Sequence, residues 1–109
     1  MAMFSEVGLV VKVEHFDKIS GLSIIEQSDR RLDKDGSVLI IWESIKWYRI
    51  NDDVFELYNK LKEIPASDYL IRESFPEYPS DNSEGNAGEF FDNPFNLSVR
   101  IVSELSFEE

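Results

Sequence analysis

The sequence contains no cysteine, a single histidine, and half as many basic residues as acidic ones. Without cysteine the chain forms no disulfide, thiolate metal site or thiol nucleophile, which fits a reducing cytoplasm. No apolar run approaches the ~20 residues that a membrane span needs, and the N-terminus lacks the basic region and apolar stretch of a secretory signal. These absences favour a cytoplasmic protein that does not interact with membranes.

Catalytic motifs are also missing. The five glycines form neither a phosphate-binding loop, a dinucleotide fingerprint nor a hydrolase elbow. His15 stands alone, so a multi-histidine metal site cannot form within one chain. Two acidic clusters, DKDG at 33–36 and DNSEGN at 81–86, lack the ligand spacing of a calcium-binding EF-hand loop. We therefore expect no catalytic residue, no metal site, no cofactor and no enzymatic activity.

The charge is strongly negative and unevenly distributed. The net charge is −11, and residues 1–72 contribute 13 acids and 10 bases, or −3. From Glu73 onward there are nine acids and only Arg100, or −8. Such a field repels nucleic acid and anionic membranes and speeds the approach of a basic surface. The charge predicts a basic protein partner, without direct binding to nucleic acid or membranes.

A length of 109 residues predicts one domain, residues 1–109, whose first half consists of strands. In residues 6–14, Val7, Leu9, Val11 and Val13 alternate with other residues, a pattern typical of a half-buried strand. Residues 21–32 and 37–48 flank a turn at 33–36 whose Asp-Gly pair favours a hairpin. Regular pleating would send Trp42 and Trp47 to opposite faces, with one of them in the core.

One helix and two strands follow. In residues 50–65, apolar residues recur at helical spacing, Asn51 or Asp52 can cap the N-terminus, and Pro65 lies beyond the end. Residues 67–74 predict a short strand, and residues 95–109 alternate so regularly that they predict a last strand of the main sheet. The order is βββαββ: an α+β fold with a mostly antiparallel sheet of about five strands, covered by one helix.

Residues 73–94 show no period and predict a long loop that is both acidic and aromatic. Loops of this length in a compact domain are usually functional or disordered. Acids steer and pair with basic groups, while aromatic rings provide anchor area. The predicted partner-binding residues of the loop are Glu77, Tyr78, Asp81, Glu84, Glu89, Phe90, Phe91 and Asp92. Charge reversal at Glu84 and Glu89 should slow association, and Phe91→Ala should speed dissociation.

An acidic, cysteine-free α+β chain with patches such as EFFDNP at 89–94 resembles the immunity proteins of bacterial toxin systems, including contact-dependent growth inhibition. The resemblance lies in composition and architecture and covers the whole chain, without a motif that aligns residue by residue. It implies tight, stoichiometric binding to a cognate basic toxin domain of the nuclease type, in the cytoplasm of the producing cell. Carboxylates would then take the place of nucleic acid phosphates.

Two other hypotheses remain open at this point. A phage-encoded nucleic-acid mimic that blocks a host defence or transcription protein would use the same negative surface. The other is a small carboxylate- or metal-dependent enzyme, which saturable stabilisation by calcium, magnesium or manganese would favour.

Overall fold

The computed structural model describes residues 5–48, 50–74, 87–99 and 105–109, with the backbone alone at 98 and 99. The strands are β1 (Ser5–Lys12), β2 (Arg30–Lys34), β3 (Ser37–Ile45), β4 (Tyr69–Ser74), β5 (Ala87–Gly88), β6 (Ser98–Val99) and β7 (Leu105–Ser106). The helices are α1 (Val13–Phe16), α2 (Ser23–Glu26), α3 (Asp52–Leu61) and a 3₁₀ turn (Ala66–Asp68).

Five strands form one antiparallel sheet in the order β2-β3-β1-β4-β5, and α3 covers one of its faces. The predicted α+β class and the antiparallel sheet of about five strands are therefore confirmed. β1 lies in the middle, with Leu9 opposite Ile40 of β3 and Ile71 of β4. The strand ends at Lys12, and Val13, predicted on its apolar face, begins α1 and is half exposed.

The hairpin of β2 and β3 turns at Asp35 and Gly36, where the sequence predicts it. Both residues have positive φ, 48° and 78°, as a two-residue type I′ turn requires. Lys34 and Ser37 form the closing pair of the ladder. The Asp-Gly pair thus sets the register of this half of the sheet.

The helix predicted in residues 50–65 is α3, with Asn51 preceding its first turn. Val54, Leu57, Tyr58 and Leu61 form its buried face, as their spacing predicts. They pack with Val7, Leu9 and Val11 of β1 in the first hydrophobic core. This core lies between the sheet and the helices.

A second core lies on the opposite face of the sheet. Val10, Leu39 and Leu70 of the sheet pack there against Phe95 and Leu97. β6 and β7 pair with each other in a separate two-stranded sheet, so the prediction that residues 95–109 form one strand of the main sheet is wrong. At Phe95, Asn96 and Leu97 the alternation reflects burial against the sheet rather than pairing within it. Consequently β1 is buried on both faces, not half-buried.

Two further expectations, a strand over residues 21–32 and opposite faces for the two tryptophans, are wrong. Residues 21–32 contain α2 and only the beginning of β2, because Ile24 and Ile25 both enter the first core from a helical turn. The indole nitrogen of Trp42 donates to the carbonyl of Ile24 at 2.8 Å. Trp47 follows the end of β3, so pleating does not govern it, and both indoles are buried with ring centroids 4.9 Å apart.

Among the described residues, no helix has the length and apolar character that a membrane crossing requires.

Candidate partner-binding site

The structure corrects the bounds of the predicted loop, because residues 73 and 74 end β4 and residues 87 and 88 form β5. Residues 75–86 lie outside the described residues. Of the predicted partner-binding residues, Glu77, Tyr78, Asp81 and Glu84 lie outside the described residues. The other four, Glu89, Phe90, Phe91 and Asp92, follow β5 directly and occupy a compact turn. We call residues 89–93 the acidic turn.

Gly88 fixes the position from which the acidic turn begins. It pairs with Leu70 across the β4–β5 ladder and has φ of +87°. A Cβ at this residue would lie 2.2 Å from the carbonyl oxygen of Tyr69, closer than any side chain tolerates. The next two backbone amides are also bonded to this part of the chain. The N–H of Glu89 donates to the carbonyl oxygen of Ala66 at 2.7 Å, and the N–H of Phe90 donates to the carbonyl oxygen of Tyr69 at 3.1 Å. Only glycine allows this close approach of the two backbones.

Asn93 closes the acidic turn from the other side. Its side chain is buried, and its amide nitrogen donates to the carbonyl of Phe90 at 2.8 Å. Its amide oxygen accepts from the backbone N–H groups of Phe95 at 3.1 Å and Leu97 at 3.3 Å. One side chain therefore ties the turn to the segment that fills the second core, and the backbone between Gly88 and Asn93 is held at both ends.

The two phenylalanines of the acidic turn lie in different environments. Phe90 is half-buried and packs against the second core, with the ammonium of Lys12 5.6 Å from its ring centroid. Phe91 is 65% exposed. Glu89 and Asp92 are exposed on either side of it in the chain, and within the described part of the protein their carboxylates contact no cation. The turn thus presents one exposed ring and two exposed carboxylates that pair with none of the described cations.

A cluster that the sequence did not predict adjoins the acidic turn. His15 Nε2 lies 2.8 Å from Asp68 Oδ2, and Lys12 Nζ lies 3.1 Å from Asp68 Oδ1. The hydrogen bonds from His15 and Lys12 hold the pKa of the Asp68 carboxyl below its usual range. The side chain of His15 is partly buried, with 16% of its area exposed. Pairing of Val11 with Tyr69 brings these groups together, a contact between distant parts of the chain.

The same cluster offers donors for a metal ion. Ligand atoms of Glu14, His15 and Asp68 lie within 4.8 Å of one another. One imidazole nitrogen and two carboxylates suit Zn²⁺ or Mn²⁺. However, the ammonium of Lys12 already neutralises Asp68, and Glu14 is exposed to water. The internal ion pair accounts for the arrangement without a metal ion, and a metal ion would have to compete with Lys12.

A second exposed aromatic lies on α3. Phe55 is 57% exposed and Ile50 is 90% exposed. They line an open groove of about 230 Å³ with Tyr58, Asn59 and Lys62. Among the described residues no carboxylate lines this groove, and Lys62 gives it a positive charge. Its chemistry is therefore the opposite of that of the acidic turn.

Comparisons with protein-family models, with curated proteins and with solved structures find no match, so the residues themselves carry the functional argument.

Proposed function

We propose that the chain is an acidic inhibitor, an immunity protein that neutralises a cognate basic toxin of the nuclease type by one-to-one binding. The observation that carries this proposal is the exposed ring of Phe91, flanked in the chain by the exposed carboxylates of Glu89 and Asp92, which pair with no cation among the described residues. These three side chains project from a backbone that Gly88 and Asn93 hold in place.

The acidic turn has the physical properties of a binding epitope. Aromatic side chains that become buried at the centre of an interface contribute much of the binding energy. Phe91 has most of its area available for such burial. Because its backbone is already ordered, binding costs less conformational entropy than ordering a mobile loop would. Phe91 is therefore the anchor in this proposal.

The charge of the chain supports a basic partner. The net charge is −11, and residues 73–109 carry −8 of it. Carboxylates around an interface accelerate encounter with a basic surface and discriminate against acidic proteins. A nuclease binds the phosphates of its substrate with basic side chains. An acidic turn seated on those side chains would exclude the substrate, which is how the proposed inhibition works.

Affinity capture tests the proposal. The chain, tagged at its N-terminus, is exposed to nuclease-treated host lysate at low and at moderate salt. One basic protein retained in one-to-one stoichiometry should then be purified and its activity on RNA and DNA titrated with the chain. Loss of activity that is complete at one equivalent supports an inhibitor. Retention of no basic protein, or a captured protein that stays active at excess chain, would rule out the proposal.

The group of Glu14, His15 and Asp68 favours one alternative, a small metal-dependent enzyme. Its test is a thermal unfolding titration with Mn²⁺ and Zn²⁺ on the unmodified chain and on His15→Gln. Saturable stabilisation at low micromolar metal that His15→Gln removes would support the alternative. In that case Lys12→Gln should strengthen metal binding, because it removes the competing ammonium. Equal behaviour of the unmodified chain and His15→Gln would reject it.

A further inference from the structure

Phenylalanine rings in this protein are repeatedly covered by cations. Four basic side chains of the described residues lie 4.4 to 5.9 Å from the centroid of a phenylalanine ring. The pairs are Lys12 with Phe90, Arg30 with Phe107, Arg31 with Phe16 and Lys34 with Phe95. The negative face of the ring attracts the cation in each of them.

Three of these cations also pair with a carboxylate. Lys12 binds Asp68 at 3.1 Å, Arg31 binds Asp33 at 3.3 Å, and Arg30 binds the side chain of Glu109. The chain therefore uses one arrangement three times: a ring, a cation above it, and a carboxylate that neutralises the cation. The shortest ring contact, 4.4 Å, is made by the guanidinium of Arg31.

The acidic turn carries, within four consecutive residues, the ring and carboxylates of this arrangement but no cation. Phe91 supplies an exposed ring, and Glu89 and Asp92 supply two exposed carboxylates. Within the part of the chain that the structure describes, no basic side chain lies over this ring. Lys12, which lies over the neighbouring Phe90, is already engaged by that ring and by Asp68. Since the described residues supply no cation here, a basic partner can provide the one that completes the arrangement.

We propose that the partner inserts an arginine whose guanidinium stacks on Phe91 and pairs with Glu89 or Asp92. This inference rests on the proposed function, because it specifies the chemistry by which the acidic turn would recognise a basic protein. A guanidinium is flat, weakly hydrated and able to bind a carboxylate through two parallel N–H groups while it stacks on a ring. A lysine ammonium is strongly hydrated and offers a point charge only. The turn should therefore prefer arginine to lysine.

The groove on α3 should show no preference for arginine over lysine. Phe55 is exposed to a similar degree as Phe91, but the described residues that line its groove include Asn59 and Lys62 and no carboxylate. The ammonium of Lys62 would repel an incoming guanidinium. Phe55 is consequently a matched control: an exposed phenylalanine on the same chain without carboxylates in its groove.

Two capped hexapeptides serve as probes, one with three arginines alternating with glycine and one with three lysines in the same positions. Backbone amide chemical shifts of the unmodified chain are followed during titration with each. The arginine peptide should shift residues 88–93 saturably and bind about two- to five-fold more tightly than the lysine peptide, the range expected for an exposed cation–π contact. Phe91→Leu should abolish this difference, and Phe55→Leu should preserve it.

Three outcomes would overturn the inference: equal affinity for both peptides, a preference that survives in Phe91→Leu, or shifts located away from the acidic turn. Glu89→Gln combined with Asp92→Asn should weaken the binding of both peptides, because each cation pairs with these carboxylates.

The inference and the proposed function fail separately. If a captured toxin bound Phe91→Leu as tightly as the unmodified chain, the proposed inhibitor function would stand and the arginine contact would be refuted. An arginine preference at the turn, without any inhibited basic protein, would keep the recognition chemistry and refute the proposed function.

Discussion

Gly88 and the carbonyl oxygen of Tyr69 are in direct backbone contact, because a Cβ at Gly88 would lie only 2.2 Å from that oxygen. The contact sets the point at which β5 leaves the sheet and the acidic turn begins. Gly88 also has φ of +87°, a conformation that a side chain disfavours. Both effects make this glycine necessary for the position of the turn.

Gly88→Ala should lower the free energy of unfolding by about 2 to 4 kcal/mol, from backbone strain and displacement of Tyr69. Urea denaturation measures the loss, and amide chemical shifts should change at residues 88–93. Gly21→Ala is the control, since nothing lies within 4 Å of its added methyl group and that variant should be near neutral. Equal stability of the two variants would show that the contact does not constrain the turn.

Asn93→Ala should destabilise the chain by about 2 kcal/mol or more, because it leaves buried backbone groups of Phe90, Phe95 and Leu97 without their partner. Asn59→Ala, on the exposed side of α3, should be neutral or slightly stabilising. Hydrogen exchange should accelerate at Phe95 and Leu97 in Asn93→Ala only. Unchanged exchange there would mean that the asparagine is not what holds the turn.

The pH dependence of stability should report the contacts of Asp68. His15 and Lys12 lower its pKa, so the charged carboxylate is favoured in the folded state. A group with a lowered folded pKa stabilises the fold above its ordinary value of 3.8, and that stabilisation disappears as the pH falls through the folded pKa. The unmodified chain should therefore lose stability in acid below about pH 4.

Asp68→Asn should have a lower free energy of unfolding than the unmodified chain at neutral pH. This difference should disappear in acid, once the Asp68 carboxyl of the unmodified chain is protonated. Unfolding by urea at a series of pH values measures it. Asp92→Asn, which removes an exposed carboxylate, should follow the unmodified chain throughout. A gap between Asp68→Asn and the unmodified chain that stays constant into strong acid would contradict this account of the cluster.

Binding kinetics should separate the roles of charge and ring in the acidic turn. With the captured partner, Glu89→Lys combined with Asp92→Lys should slow association about ten-fold at low salt and reduce its salt dependence. Phe91→Ala should speed dissociation by about 30-fold, the effect of an anchor that contributes about 2 kcal/mol. Surface plasmon resonance at several salt concentrations resolves the two rates.

The controls lie among the helices that cover the sheet. Glu26→Lys combined with Glu56→Lys makes the same change in net charge at exposed positions of α2 and α3. This variant should keep most of the association rate, and Phe55→Ala should keep the dissociation rate. If the control pair slows association as much as the turn variant, net charge rather than the turn guides the encounter.

The sequence predicted correctly the hairpin turn and α3, because residues that are close in the chain determine both. The Asp35-Gly36 pair identifies the hairpin, and the spacing of Val54, Leu57 and Leu61 identifies the buried face of α3. Residues 95–109 were misassigned because alternation reports which side chains are buried and not which strand is the neighbour. The acidic and aromatic character of residues 89–92 is visible in the sequence, but the different exposure of Phe90 and Phe91 is not.

The cluster of Lys12, His15 and Asp68 had no sequence signal at all. His15 and Asp68 are 53 positions apart. They meet because β4 pairs with β1 across an intervening hairpin and helix, and neither strand encodes that neighbour relation in its own residues. Similarly, Gly8 reads as an ordinary strand residue. Its importance lies in a Cβ that would meet Leu97 at 2.9 Å, which only the packed second core reveals.

The central position of β1 has a consequence for synthesis on the ribosome. β1 precedes both of its neighbours in the chain, so its apolar side chains emerge before β3 and long before β4. The β2–β3 hairpin can form from residues that are close in sequence, and β1 can then pair with the free edge of β3. Until β4 emerges, the other edge of β1 remains available to foreign strands. The nascent chain should therefore be most prone to aggregate while residues 45–74 are being synthesised, and slow translation of this segment should prolong that period.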